Sequence, residues 1–485
     1  MVTRRQLLVG STAALAACGE RAAGPRTARD MVSHYLGRIE QWDRLIHSVI
    51  EINPEAMAIA DQLDQERRAG RVRGPLHGVP ILIKDNIDTA DRMMTTAGSL
   101  ALVGAPAPRH DAPLVKRLRD AGAVILGKTN LSEWANIRSH RSTSGWSGRG
   151  GQTRNPHALD RNPSGSSSGS GAAVAAELCA MAVGTETDGS IVSPSSINGI
   201  VGIKPTLGLV SGSGIIPIAH SQDTAGPMAR TVSDAALLLS AMNERGLDFG
   251  GSLKEGALRG VKLGVARRSF GRNPGVTRVI ESALQVLKKG GAELVDPVEL
   301  PDDSQYSEAE FDVMMYELKH DLNLYLGARG GNVKSLADVI AFNDREAARE
   351  MPHFGQENLI QSQAKGPLTD KAYLDALDKS KRTAAGGIDG VIDKAGLTAI
   401  VAPTDGLAWL TDYVNGDHFT QGCSTPAAVA GYPHITVPAG FHAGLPVGLS
   451  FFGKANTEAR LIGLAYDFER LSNARRAPRF ASHAG

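Results

Sequence analysis

Residues 162–205 hold two serine-bearing turns with an apolar segment between them. The first is the Gly/Ser loop 164–171, and the second is Thr185-Glu186-Thr187-Asp188-Gly189-Ser190. A flexible linker would have polar flanks, whereas residues 172–183 are apolar and Ala-rich and demand burial, so both turns are pinned to a core. A Gly/Ser loop at a helix N-terminus also offers unpaired backbone N–H groups, the raw material of an oxyanion hole. Nucleophilic acyl chemistry takes a nucleophile, a base to activate it, an acid for the leaving group and donors for the developing charge.

Upstream, Gly78-Val79-Pro80-Ile81-Leu82-Ile83-Lys84-Asp85-Asn86 ends an apolar run on a lysine. At its ordinary pKa of about 10.4 a lysine is a useless base near neutrality, but desolvation disfavours its charged form. The run 79–83 reads as a buried strand able to deliver Lys84 into such an interior.

Two other motifs point elsewhere and fail on context. Residues 122–129, GAVILGKT, match the phosphate-loop pattern, yet the residues between the glycines are themselves an apolar strand and a helical segment precedes them. Gly165-Ser166-Ser167-Ser168-Gly169 matches the nucleophile elbow, which needs a buried strand immediately upstream; Asp160-Arg161-Asn162-Pro163 is a polar turn.

Taken together, the Gly165-Ser166-Ser167 turn, the Gly189-Ser190 turn, Gly202-Ile203-Lys204-Pro205-Thr206 and the lysine motif resemble the amidase signature family. Residues 144–155, 184–191 and 221–228 look most like its bacterial peptide amidases. The resemblance implies Ser190 as nucleophile, Ser166 as a bridging serine with a cis peptide bond to Gly165, and Lys84 as base. It implies an oxyanion hole from the N–H groups of Thr187, Asp188, Gly189 and Ser190. Ser167 would hydrogen-bond near Lys84, and Thr185 would brace the nucleophile turn. Asp188 replaces a glycine common in the wider family, but only its N–H is needed.

Many family members, including the amidotransferase component of the transamidosome, carry an arginine just after the nucleophile. Here the residues are Ile191-Val192-Ser193-Pro194, so a substrate carboxylate has no bidentate partner and neutral amides are favoured. The implied activity is release of ammonia from carboxamides, with peptide C-terminal amides first. The rivals are a general aliphatic or aromatic amidase or esterase, the amidase-like component of a tRNA-dependent amidotransferase, and a catalytically dead binding protein. The implied mechanism requires no metal or cofactor, and none of the 13 histidines lies in the signature stretch.

The elements that must position these groups follow an α/β pattern. Helical spacing in 27–40, 53–69, 111–121 and 276–287 alternates with apolar strands at 79–83, 123–126, 261–265, 293–295, 397–402, 435–437 and 446–452. The charge run 64–73 reads as a solvated helix end. From 304 to about 384 the strands stop, and Phe311, Met314, Met315, Leu318, Leu322 and Tyr325 form one helical face, read as core packing. The family implies one α/β domain over 25–485, a central twisted mixed sheet covered by helices on both faces, with 304–384 as a helical cap.

Net charge of +1 gives no reason to expect nucleic acid as a partner. Cys18, Cys179 and Cys423 cannot build a disulfide framework, and Cys423 reads as a buried packing residue. The N-terminus reads as an export signal and short tether over 1–24. Thr3-Arg4-Arg5-Gln6-Leu7-Leu8 is a twin-arginine region, residues 7–17 form a short apolar run, and Leu15-Ala16-Ala17-Cys18 has the form of a lipobox. A protein so addressed would be periplasmic or anchored outside the cytoplasm through lipid on Cys18.

Overall fold

The computed structural model describes residues 27–485. The expected export signal and Cys18 lie outside the described residues.

The chain builds thirteen strands: β1 Val49–Ile52, β2 Pro80–Lys84, β3 Val124–Thr129, β4 Trp146–Ser147, β5 Gly151–Gln152, β6 Met181–Glu186, β7 Val201–Lys204, β8 Thr224–Ala229, β9 Lys262–Val265, β10 Glu293–Val295, β11 Ala399–Pro403, β12 His434–His442 and β13 Leu445–Phe452. Strands β4 and β5 pair only with each other, and the rest form one sheet in the order β1-β3-β2-β6-β8-β7-β12-β13-β11-β9-β10. Pairing is parallel across β3, β2 and β6 and across β11, β9 and β10, and antiparallel elsewhere. Every residue of β2, β3, β6, β7, β8, β11 and β13 is buried. Strands buried on both faces read as continuous apolar runs, because helices cover the sheet on either side.

The helix Ser168–Ala175 grows directly from the first serine turn and packs on β2, β3, β6 and β8. All eight of its residues are small and buried, which lets its backbone approach the sheet closely. Gly169 shows how closely: a Cβ there would lie 2.3 Å from the Ser48 carbonyl oxygen and 2.5 Å from that of Asn130.

The segment read as a cap is helical, and its last helix, Lys371–Ala395, runs past 384. In its first helix, Ser307–Arg329, Met315, Leu318 and Leu322 are buried with Trp134, Ile137, Ile216, Ile218 and Leu359, while Phe311, Met314 and Tyr325 pack against that cluster. The charge run 64–73 departs from expectation. Asp64 is buried, and its carboxylate accepts the N–H groups of Ala28 (2.8 Å) and Arg29 (3.0 Å) at the start of the helix Ala28–Ile46. Orphan N–H groups at a helix start favour a carboxylate, so a residue from the second helix completes the first.

The phosphate-loop match is strand β3, and its Lys128 is buried, donating to the Ile87 carbonyl (2.6 Å) and the Thr95 hydroxyl (2.9 Å). No helix among the described residues is long and apolar enough to cross a membrane.

Candidate active site

Strands β2 and β6 run side by side and in parallel, with Ile83 opposite Val183, which brings Lys84 at the end of β2 beside Thr185 near the end of β6. Lys84 is fully buried. Its Nζ donates to the Ser166 hydroxyl at 2.7 Å, the Thr185 hydroxyl at 2.8 Å and the Thr185 carbonyl at 3.2 Å. Burial lowers its pKa to about 7, against the opposing charges of Asp223 and Glu186. At neutral pH a large share of this amine is therefore uncharged and able to accept a proton.

Ser166 follows a cis peptide bond from Gly165, as the family resemblance implies. Its carbonyl accepts the Ser132 N–H at 3.1 Å, while the Ser167 N–H donates to the Ser190 carbonyl at 3.1 Å. The two serine turns thus touch through backbone. The Ser167 hydroxyl donates to the Thr185 carbonyl at 3.0 Å, sharing that acceptor with Lys84. Thr185 braces the lysine more directly than it braces the nucleophile turn. Its hydroxyl oxygen also accepts Asn86 Nδ2 at 3.0 Å.

The turn carrying Ser190 is held from several directions. Gly189 sits at a φ of 77°, in the left-handed region that only glycine enters freely. Glu186 accepts the N–H groups of Ile191 (2.7 Å) and Val192 (3.0 Å) on one carboxylate oxygen. The Thr187 hydroxyl donates to Asp223 at 2.6 Å, and Asp223 in turn accepts the N–H groups of Ile218 (2.8 Å) and Ala219 (3.0 Å). Burial raises the Asp223 pKa to about 6, with the Thr187 hydrogen bond opposing it. The N–H groups of Thr187, Asp188, Gly189 and Ser190 donate to no acceptor among the described residues. Four consecutive free donors on one turn beside a serine hydroxyl can receive a negatively charged oxygen.

Beside this centre lies a narrow, mostly apolar pocket. The catalytic body supplies Asn86, Trp134 and Ile216, and the cap supplies Leu318, Leu322 and Leu359. Asn86 is therefore common to the pocket wall and the Lys84 network.

All eight residues singled out from sequence gather at this centre. Five further residues join them without a role foreseen from sequence. Asn86 lies in the lysine motif, Glu186 in the second serine turn, and Gln222 and Asp223 in the segment 221–228. Glu310, on the cap helix, carries no signal beyond its helical context. Cys179 and Cys423 are free and buried, the latter among Ile400, Ala427 and Phe452. Among the described residues, His220, Glu317 and Asp321 are the one group close enough to share a cation. The His220 ring already lies between the two carboxylates, with Nδ1 2.8 Å from Asp321 and Nε2 3.4 Å from Glu317.

Comparison with known proteins fits this geometry. The family model for amidases matches residues 30–462. The chain belongs to the amidase family. Its sequence is 39% identical over 478 residues to a probable amidase of Arabidopsis thaliana, covering 94% of this chain and 88% of that relative. A glutamyl-tRNA(Gln) amidotransferase component of Halorhodospira halophila is 37% identical over 476 residues, with coverage of 93% and 95% respectively. Among solved structures, the native peptide amidase of Stenotrophomonas maltophilia matches with a TM-score of 0.91 at 48% identity, covering 94% of this amidase and 96% of that chain. A peptide amidase bound to the competitive inhibitor chymostatin matches equally well. The protein is an amide-hydrolysing enzyme with the amidase signature fold.

Proposed function

We propose that this amidase hydrolyses carboxamides to a carboxylate and ammonia through Ser190, Ser166 and Lys84, and that its substrates are C-terminal amides of peptides. The observation that carries the mechanism is the 2.7 Å hydrogen bond between fully buried Lys84 and the Ser166 hydroxyl. Neutral Lys84 takes the Ser166 proton as Ser166 takes that of Ser190, whose oxygen attacks the carbonyl carbon. The oxyanion meets the N–H groups of Thr187, Asp188, Gly189 and Ser190. The proton then returns through Ser166 to the departing nitrogen, and ammonia leaves. Water attacks the acyl-enzyme along the same relay and restores Ser190.

Support for a peptide substrate comes from the 48% identity to peptide amidases over nearly the whole chain, and from Ile191-Val192-Ser193-Pro194, where no guanidinium awaits a free carboxylate. Comparing ammonia release from an amidated dipeptide and a simple aliphatic amide tests this. A kcat/KM at least tenfold higher for the dipeptide is expected; a preference for the aliphatic amide would leave a general amidase.

We also propose that residues 1–24 form an export signal and short tether, with Cys18 as the lipid-bearing mature N-terminus. Mass spectrometry of the mature protein tests this: a chain beginning at unmodified Met1 would refute it.

A further inference from the structure

Asp188 belongs to the turn that carries the nucleophile, and its side chain reaches away from that turn to the start of the helix Thr425–Ala430. Its Oδ2 accepts the Thr425 hydroxyl at 2.7 Å, and its Oδ1 is buried with no donor in good geometry among the described residues. The carboxyl of Glu310, on the cap helix Ser307–Arg329, lies within hydrogen-bond reach of Asp188. Glu310 is 5% exposed, and its Oε1 is occupied by Gln222 Nε2 at 2.9 Å. Gln222 also reaches the Thr187 carbonyl at 3.4 Å. The cap helix is therefore connected to both Thr187 and Asp188.

Two neighbouring carboxyls in this partly and fully buried setting repel when both are ionised, which favours one proton shared between them. Around them, the Ser424 and Thr425 hydroxyls and Lys204 favour the charged form of Asp188, while burial and the surrounding acidic groups oppose it. Asp303 and Tyr306 face the pair from the segment leading into the cap helix, and Glu186 and Asp405 face Asp188 from the sheet side, with the Cys423 thiol nearby. Lys204, also buried, is the cation acting on Asp188, but its hydrogen bond goes to the Pro205 carbonyl. Burial, then the neighbouring Asp188 charge, holds Glu310 well above the ordinary carboxylate range.

We infer that Glu310 is a positioning residue for amide hydrolysis: its protonated carboxyl donates to Asp188 and fixes the nucleophile turn from the cap. The inference rests on the proposed use of the 187–190 N–H groups as the oxyanion hole. Losing the shared proton at alkaline pH sets two negative charges against each other and loosens both the cap helix and the turn.

The test measures kcat and KM against pH for the wild type, Glu310→Gln and Glu310→Ala. Glutamine keeps a donor toward Asp188 and an acceptor for Gln222, but has no proton to lose. Glu310→Gln should retain kcat within about threefold at pH 7 and abolish the wild type's alkaline decline; Glu310→Ala should lose kcat roughly 10–100-fold with a smaller change in KM. Equal losses in both variants, an unchanged alkaline decline in Glu310→Gln, or full kcat in Glu310→Ala would each overturn the inference. A wild-type-minus-Glu310→Gln infrared difference spectrum at pH 8 should show a protonated carboxyl band, and its absence would refute the shared proton whatever the kinetics. Ser190→Ala serves as the separate control: turnover surviving there would remove the Ser190 mechanism on which the inference rests, while leaving the infrared result to decide the proton.

Discussion

Lys84 Nζ stands 2.7 Å from the Ser166 hydroxyl oxygen, in an interior from which water is excluded. The contact gives the amine its partner, and the burial brings its pKa to about 7. Activity should accordingly rise as pH passes upward through about 7, where Lys84 loses its proton. Lys84→Arg should be inactive at every pH, since a guanidinium keeps its charge. A pH–kcat/KM profile of the wild type, with the arginine variant beside it, checks both expectations.

The same shift governs stability. The folded pKa of Lys84 lies below its unfolded value, so between pH 7 and about 10.5 the unfolded chain binds more protons and stability increases with pH. This contribution is fully present above the unfolded pKa and is lost as pH falls through the folded one. Lys204, lowered by burial to about 8, adds a similar slope over a narrower window. Lys84→Met should flatten the slope without abolishing it, as urea titrations at pH 7 and pH 9.5 would show.

Ser190→Ala should reduce kcat by roughly 10⁴-fold or more while changing stability by less than about 1 kcal/mol. Fluorophosphonate labelling should disappear with it. A variant that folds and still turns over amide would refute Ser190 as nucleophile.

Asp223 acts at a distance on the Lys84 amine while tying Thr187 to residues 218 and 219. Its charge favours protonated Lys84. Asp223→Asn should move the acid limb of the profile to lower pH, by about half a unit to one unit. It should also cost ~1 kcal/mol in stability, because the amide oxygen replaces a charged acceptor for the Ile218 and Ala219 N–H groups and the Thr187 hydroxyl must turn to accept from the amide nitrogen. A limb that stays in place would show that Lys84 does not sense this carboxylate.

Thr185→Val removes the oxygen that receives both Lys84 and Asn86. The expected result is a kcat lower by roughly tenfold through misorientation of the amine, with the fold retained. Steady-state kinetics and a thermal melt measure the two effects separately.

Much of this centre is legible in the sequence because its parts lie in contiguous motifs whose chemistry is local. The strand 80–84 announces itself as an apolar run ending in a lysine, and the two Gly/Ser turns are flanked by residues that must be buried. Other features depend on contacts between distant segments. The edge strand Val49–Ile52 is four residues long with Glu51 within it, too short to show a period, and it exists because β3 pairs with it. Asp64 reads as part of a solvated charge run, since nothing local says that the start of another helix needs its carboxylate. Glu310 lies on a helix among several acidic residues, and only the packing of that helix over the nucleophile turn distinguishes it.

The side-by-side alignment of β2 and β6 has an evolutionary corollary. Successive strand residues face opposite ways, so one residue gained or lost within 80–83 would turn the amine of Lys84 to the sheet's other side. Conservative exchanges among those apolar positions leave the reactive end in place, whereas a single-codon indel there would silence the enzyme at a stroke.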